Sequence, residues 1–402
     1  MIRSDRRRAF RQKLFLTFLV VLALASSRQL LISPSHGQDF RDFFAAGTLV
    51  AQGRDPYDVG ALALEQDLLY NQPQHLKPGD RAYYDGIPYP QGPWVAIALA
   101  PLSQLPWQAA YILYLVLAMV AIGLAARAWL RALGWNGRAG RLALLATLLS
   151  PVAFINLFQG QPVPFLLAAF AAAWVLLMRN RAALAGALLA IAWIKPHLGL
   201  PLLVALLLLR PGSARALLAG FGAGSAALFA IAALVLQGAL FGWPRVVLGQ
   251  WSGALQQADL ASVNALYYPA LHGGLRQAML AIVLLGAGLY AAWSLRQAQP
   301  QLARAITVLL LSLLAAPYAH SYDTLLLLPV VLVLLGTRQQ GWSHPAVEAA
   351  LWAFAILPVF YFAGFHLGYF NGFCAIPVAL LGLAWHLHRR DLAPASSLAA
   401  AA

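Results

Sequence analysis

"ALAGALLAIAWIKPHLGLPLLVALLLLR", residues 183–210, is apolar along its length except for Lys195 and His197, which flank Pro196 at its centre, and a closing arginine. Basic loops bound it on both sides, "RNR" at 179–181 and "RPGSAR" at 210–215. Arg and Lys beside apolar spans mark cytoplasmic loops, so the stretch between them crosses the membrane twice or not at all. A full crossing takes about 20 apolar residues, and two do not fit into 182–209. The pattern predicts a re-entrant hairpin over 182–209. Two short helices meet at Lys195-Pro196-His197 on the outer side, and all of the backbone hydrogen bonds are made within protein.

The rest of the chain supports this setting. It has 402 residues, of which 61% are hydrophobic, against about 45–50% in soluble domains. The mean hydropathy is +0.70. Apolar runs recur from Leu14 almost to the C-terminus, without the alternation of barrel strands. The fold class expected is an all-α polytopic membrane protein, one integral domain over 1–402 with about twelve transmembrane or re-entrant helices. The start combines basic residues with an apolar stretch but has no small-x-small cleavage site, and is read as an uncleaved first helix.

Net charge is +14, which in a soluble chain points to nucleic acid. Here the arginines sort into loops at 3–13, 127–141, 179–181, 210–215, 296–304, near Arg338 and near Arg389. The charge is therefore topological: membrane lipids are the partners, nucleic acid is not, and both termini lie in the cytoplasm, including a tail at 389–402. The segments left outside are 33–106, 158–163, 238–276, 317–322 and 366–373. A cell (inner, plasma) membrane location follows, with any active site on its extracytoplasmic face. The single Cys374 excludes an intramolecular disulfide and cysteine-based metal clusters.

Acid is concentrated outside. Of 13 Asp and Glu, eight fall in 39–85. Glu65, Asp67, Asp80 and Asp85 read as solvating charges of the long first outer loop. Asp39 and Asp42 differ: they lead into "DFFAAGTLVAQG" (42–53), an amphipathic helix of small and aromatic residues at the membrane boundary, where a carboxylate is costly unless used or paired. That helix is expected over 39–52 and ends near Gly53. Asp55-Pro56-Tyr57-Asp58 reads as a turn, and 61–70 as a second short helix. Residues 94–106, broken by Pro101 and Pro106, are expected to lie along the interface, with Tyr84, Tyr89, Trp94 and Trp107 as anchors.

Other polar groups gather at the same face. Lys195, one of three lysines, reads either as a snorkelling anchor or as a ligand for a lipid phosphate, with His197 beside it. "FQGQPVP" (158–164) makes a tight turn whose Gln159 and Gln161 suit sugar hydroxyls. "APYAHSYD" (316–323) sets His320, Tyr322 and Asp323 at one junction, and His366 and Asn371 are weaker candidates. No phosphate-binding glycine loop, dinucleotide fingerprint, nucleophile elbow or zinc-protease motif occurs where it would work, so a nucleotide is not the expected substrate. No metal is required, and no cofactor.

In order, "DFRDFFAAGTLVAQGRDPYD", "YPQGPWVAIALAPLSQLP", "GQPVPFLLAAFAAAWVLL", "AGALLAIAWIKPHLGLPLL" and "LAAPYAHSYDTLLLLP" resemble glycosyltransferase family 87 over about residues 37–335. The resemblance implies a GT-C-type fold and a polyprenyl-phosphate sugar donor, commonly mannose. It also implies a glycolipid or glycan acceptor and chemistry on the extracytoplasmic face. The family pattern places an Asp, an aromatic, a small pair, a Gly and Pro-Tyr. Asp39, Phe43 and Phe44, Ala45 and Ala46, Gly53 and Pro56-Tyr57 fill these positions. It therefore implies Asp39 as general base, with Asp42 second. Two departures, phenylalanine for the family tyrosine and "YPQGP" for Tyr-Pro-Pro, bear on substrate preference. The expected reaction is an inverting hexosyl transfer, with Lys195, His197, His320, Gln161, Tyr322 and Asp323 around the donor's phosphate and sugar. The alternative is a transporter or flippase of lipid-linked glycans, which would form no glycosidic bond.

Overall fold

The computed structural model describes residue 17 and residues 37–70, 89–236, 241–250, 262–267, 270–296, 301–317 and 319–339. The first apolar run, loop residues 71–88, Asp259, His366, Asn371 and the tail at 389–402 lie outside the described residues. Within them the chain is all-helical, without strands. The order is α1 (Gln38–Ala51), α2 (Val59–Tyr70), α3 (Pro93–Leu99), α4 (Trp107–Ala132), α5 (Gly137–Leu148), α6 (Pro151–Gln159), α7 (Val163–Met178) and α8 (Ala182–Leu189). There follow α9 (Pro196–Leu209), α10 (Ala214–Leu236), α11 (Gly242–Gln250), α12 (Asn264–Tyr267), α13 (Gly273–Arg296), α14 (Gln301–Ala315) and α15 (Leu328–Gln339). Five-residue and seven-residue 3-10 turns, Ala190–Ile194 and Ser321–Leu327, extend α8 and precede α15.

Among the described residues, three helices are long and apolar enough to cross a membrane: Trp107–Ala132, Pro211–Leu236 and Gly273–Tyr290. The pair α5 and α6, bent by 41° at its break, makes a possible fourth. In α4 the inward residues are Tyr111, Tyr114, Ala118, Ala121, Ile122, Ala125 and Trp129, while Ile112, Val116, Val120 and Leu124 are exposed. That is one helical face in protein and an equally apolar opposite face. A soluble helix would place polar residues there, so the outward stripe is suited to lipid.

Between Ala182 and Leu209 the chain reverses at Lys195. The Lys195 carbonyl accepts from Leu198 N at 3.0 Å and Gly199 N at 2.7 Å, starting α9 at once. At the far end Arg210 Nη1 donates to Asn180 Oδ1 at 2.7 Å and Leu177 O at 3.3 Å, so the second arm returns to where the first began. At 1.5 Å per residue each arm is about 20 Å long, short of the roughly 30 Å hydrocarbon layer.

The first arm is held by backbone-to-backbone packing on α10. A Cβ added at Gly220 would lie 1.9 Å from the Ala183 carbonyl oxygen, and one at Gly186 would lie 1.9 Å from that of Leu217. Small residues at helical spacing let two backbones approach where no hydrophobic drive separates protein from lipid. Gly220→Val is therefore expected to lower the detergent-solubilised protein's thermal midpoint, with a loss at or above the upper end of the ~1–3 kcal/mol of ordinary overpacking. By contrast, Gly212→Val, where an added Cβ meets nothing within 4 Å, leaves the midpoint near that of the parent.

Candidate active site

The site is built around α6, the short helix Pro151–Gln159. Ser150 caps its start by accepting from Ala153 N at 3.2 Å. Its last carbonyls, orphaned as at any helix end, are taken by other elements. The carbonyl of Phe158 accepts from Gly37 N at 2.6 Å, and that of Leu157 from the Tyr111 hydroxyl at 2.9 Å. The segment that opens α1 is thereby tied to α6 at Gly37. On the opposite flank Asn156 Nδ2 donates to the Tyr322 carbonyl at 2.8 Å. One short helix thus joins the two junctions that carry Asp39 and Asp323.

Asp39 sits in the first turn of α1, half-buried, where the helix dipole favours a carboxylate. Gln161 Nε2 donates to its Oδ2. Asp42, one turn on, is buried and accepts from Gln66 Nε2 of α2 at 3.2 Å. It ties down the loop helix, whereas Asp39 is half-buried at the start of α1. Asp55 and Asp58 serve local structure. Asp55 Oδ1 accepts from Tyr57 N at 2.8 Å, and Asp58 Oδ1 accepts from Gly60 N at 3.0 Å and Ala61 N at 3.1 Å, starting α2. The Tyr57 hydroxyl donates to Gln91 O at 2.8 Å. Burial first, then the neighbouring Tyr89 and Asp55, pushes its ionisation far above the ordinary tyrosine range, so it remains a donor.

The second cluster centres on a buried ion pair. Lys195 Nζ lies 2.8 Å from Asp323 Oδ1, with side-chain exposures of 5% and 0%. The other carboxylate oxygen of Asp323 accepts from His320 N at 2.9 Å. The ammonium also lies 4.6 Å from the centre of the Tyr322 ring, and the His320 ring is 5.1 Å from that ring. Lys195, His320, Tyr322 and Asp323 are thus one assembly, formed when the hairpin tip meets the start of the 3-10 turn. His197 stands half-buried in the first turn of α9, next to it in sequence.

Trp94 and Tyr89 do not act as interfacial anchors. Both are buried: Trp94 packs edge-on against Phe229, Trp243 and Trp193, with ring centres 5.0, 5.1 and 6.5 Å away, and Tyr89 donates to Gly92 O at 3.2 Å. Residues 93–99 form α3, pressed against α1 so closely that a Cβ at Gly47 would lie 3.0 Å from the Leu99 backbone. Sequence reasoning passed over Asn156, Gln66 and Asn264. Asn264 Nδ2 holds the Ala316 and Pro317 carbonyls at 2.9 and 2.8 Å. A usable signal existed for Asn156, the one strongly polar residue within "PVAFINLF".

The model of glycosyltransferase family 87 matches residues 89–317, more than half of the chain. The chain belongs to glycosyltransferase family 87. The all-helical architecture of the described residues, several helices of which are apolar, is consistent with a membrane glycosyltransferase. The match includes Gln161, Lys195 and His197 and stops short of Asp39, Asp42, His320, Tyr322 and Asp323. No curated protein and no solved structure matches the chain.

For this family 87 chain the buried pair makes a defined stability prediction. Removing one partner strands a charge in a dry interior, which costs ~3–5 kcal/mol, while replacing both with apolar groups relieves much of that loss. Lys195→Met and Asp323→Leu are each expected to lower the unfolding midpoint sharply, and the double variant to recover most of it, as read by thermal unfolding in detergent.

Proposed function

We propose that this protein transfers a hexose, mannose by family resemblance, from a polyprenyl-phosphate sugar to a hydroxyl of a glycolipid or glycan on the extracytoplasmic face. The observation that carries this reading is the convergence on α6: Asp39 stands on one flank and the Lys195–Asp323 assembly on the other. The base and the cation that such a reaction needs come from separate loops and share one support.

In this mechanism Asp39 takes the proton of the acceptor hydroxyl as its oxygen attacks the anomeric carbon. The new C–O bond forms on the face opposite the leaving group, the bond from the anomeric carbon to the phosphate oxygen breaks, and the configuration inverts. Polyprenyl phosphate departs with the electron pair. Phosphate is already a good leaving group, so stabilising its charge matters more than protonating it. An ammonium has three N–H donors, and Lys195 spends one on Asp323, so it retains capacity for a phosphate oxygen. His197, His320 and Tyr322 lie on or beside the segments that meet there and are assigned to the same phosphate or its sugar. The hairpin of 182–209, entering from the cytoplasmic side with its tip turned outward, would carry Lys195 toward the donor's phosphate. Asp42 supports the loop. The chemistry calls for no cofactor, since the lipid-linked sugar is a substrate.

A positioned general base contributes on the order of 10²–10⁴-fold. Asp39→Asn and Asp39→Ala are expected to lower transfer by that range in purified protein supplied with polyprenyl-phosphate mannose and glycolipid acceptors, while donor binding is retained. Near-normal transfer by both variants would overturn the assignment.

A further inference from the structure

We propose that Gln161 is the positioning residue of the base, a role that rests on reading Asp39 as that base. The first observation is how Gln161 gets there. Helix α6 ends at Gly160 with φ 73°, and Gln161 N turns back to the Asn156 carbonyl at 2.9 Å. A Cβ at Gly160 would lie 2.4 Å from the Phe40 Cβ, so the turn is pressed on the residue that follows Asp39. Both the left-handed conformation and the contact require glycine. The turn therefore delivers the next side chain to Asp39.

The second observation is the state of that side chain. Gln161 is 2% exposed, and its Nε2 donates to Asp39 Oδ2. An ionised carboxylate only accepts, so the amide nitrogen must be the end that faces it. The other end is left over: among the described residues Gln161 Oε1 is buried with no hydrogen-bond partner. A buried amide with an unpartnered carbonyl is unfavourable, and an apolar side chain of similar length would fill the space without that cost. As a packing residue Gln161 is therefore a poor choice. Its presence is accounted for by the one bond it makes. That bond holds one carboxylate oxygen of a half-exposed group and stops rotation about its Cβ–Cγ bond. Because it is made to the charged form, it also keeps Asp39 ionised to lower pH.

Other groups around α1 are unchanged by substitution at 161. Among the described side chains they are Arg41 and Asp42 on α1 itself, Glu65 on α2, and Tyr111 and Tyr114 on α4; α3 and α6 carry no titratable side chain. A pH effect of Gln161 substitution is thus attributable to the bond it makes with Asp39.

The experiment uses the full-length purified protein with a polyprenyl-phosphate mannose and an alkyl mannoside acceptor, and compares Gln161→Met, Gln161→Glu and Asp39→Asn. For Gln161→Met the thermal midpoint is expected to hold or rise, because the unpartnered carbonyl is gone. Its kcat falls on the order of tenfold to a hundredfold, as expected for a misoriented reacting group, with donor KM little changed. The acid limb of its pH–rate profile moves to higher pH, since Asp39 has lost a donor to its charged form. Gln161→Glu regains activity toward acid, where a proton shared by the two carboxyls restores a donor. If Gln161→Met destabilises the fold, this acid recovery decides the matter, and a pH-independent loss in Gln161→Glu overturns the proposal. Wild-type kcat and an unmoved acid limb in Gln161→Met overturn it too, leaving the base assignment intact if Asp39→Asn is inactive. An active Asp39→Asn removes the base and its positioning residue together.

Discussion

The structure depends on one buried charge pair. Lys195 and Asp323 come from segments far apart in sequence, and neither is at home in an apolar interior without the other. Their 2.8 Å contact fixes where the hairpin tip sits against the 3-10 turn of 321–327. The Tyr322 ring beside the ammonium and the His320 amide on the second carboxylate oxygen complete the shell of that pair. Once the junction is set, the Tyr322 carbonyl is in place for Asn156, and α6 is fixed in turn.

From α6 the constraint passes to the segment that opens α1. The carbonyls that end α6 accept from Gly37 and Tyr111, and Gly160 presses on Phe40. Asp39 is thus located by backbone contacts and not by its own loop. Elements too short to be rigid alone are thereby held by one another. This arrangement also explains the division of labour among the loop acids. Asp42, Asp55 and Asp58 satisfy amides within the loop, and Asp39 is the acid at the boundary with α6.

Small residues set the spacing behind the site. Close approach of α8 and α10 at Gly186 and Gly220 leaves the first arm of the hairpin anchored along its length, so Lys195 projects from a fixed base. The aromatic group of Trp94, Trp193, Phe229 and Trp243 fills the space between α3, α10 and α11, one turn from that lysine. Rings also meet the charge itself, where the Tyr322 ring lies 4.6 Å from the Lys195 ammonium.

What the sequence determined by itself is everything governed by local pattern. Apolar runs without strand alternation imply helices, Lys195-Pro196-His197 marks a break inside one run, and Asp55 and Asp58 announce turns through their chemistry with nearby amides. The family could be approached the same way, from motifs in order. Pairings between distant positions were not legible. Nothing local to Lys195 names Asp323 as its partner, and nothing in "FQGQPVP" says that Gln161 faces Asp39. The anchor reading of Trp94 and Tyr89 failed for a related reason: an aromatic near an apolar segment has the same local signature whether it faces headgroups or packs on other rings. Only the tertiary structure decided these, because a buried charge or amide is satisfied by whatever the folded chain brings to it, and that choice is a property of the packing of helices and not of any one of them.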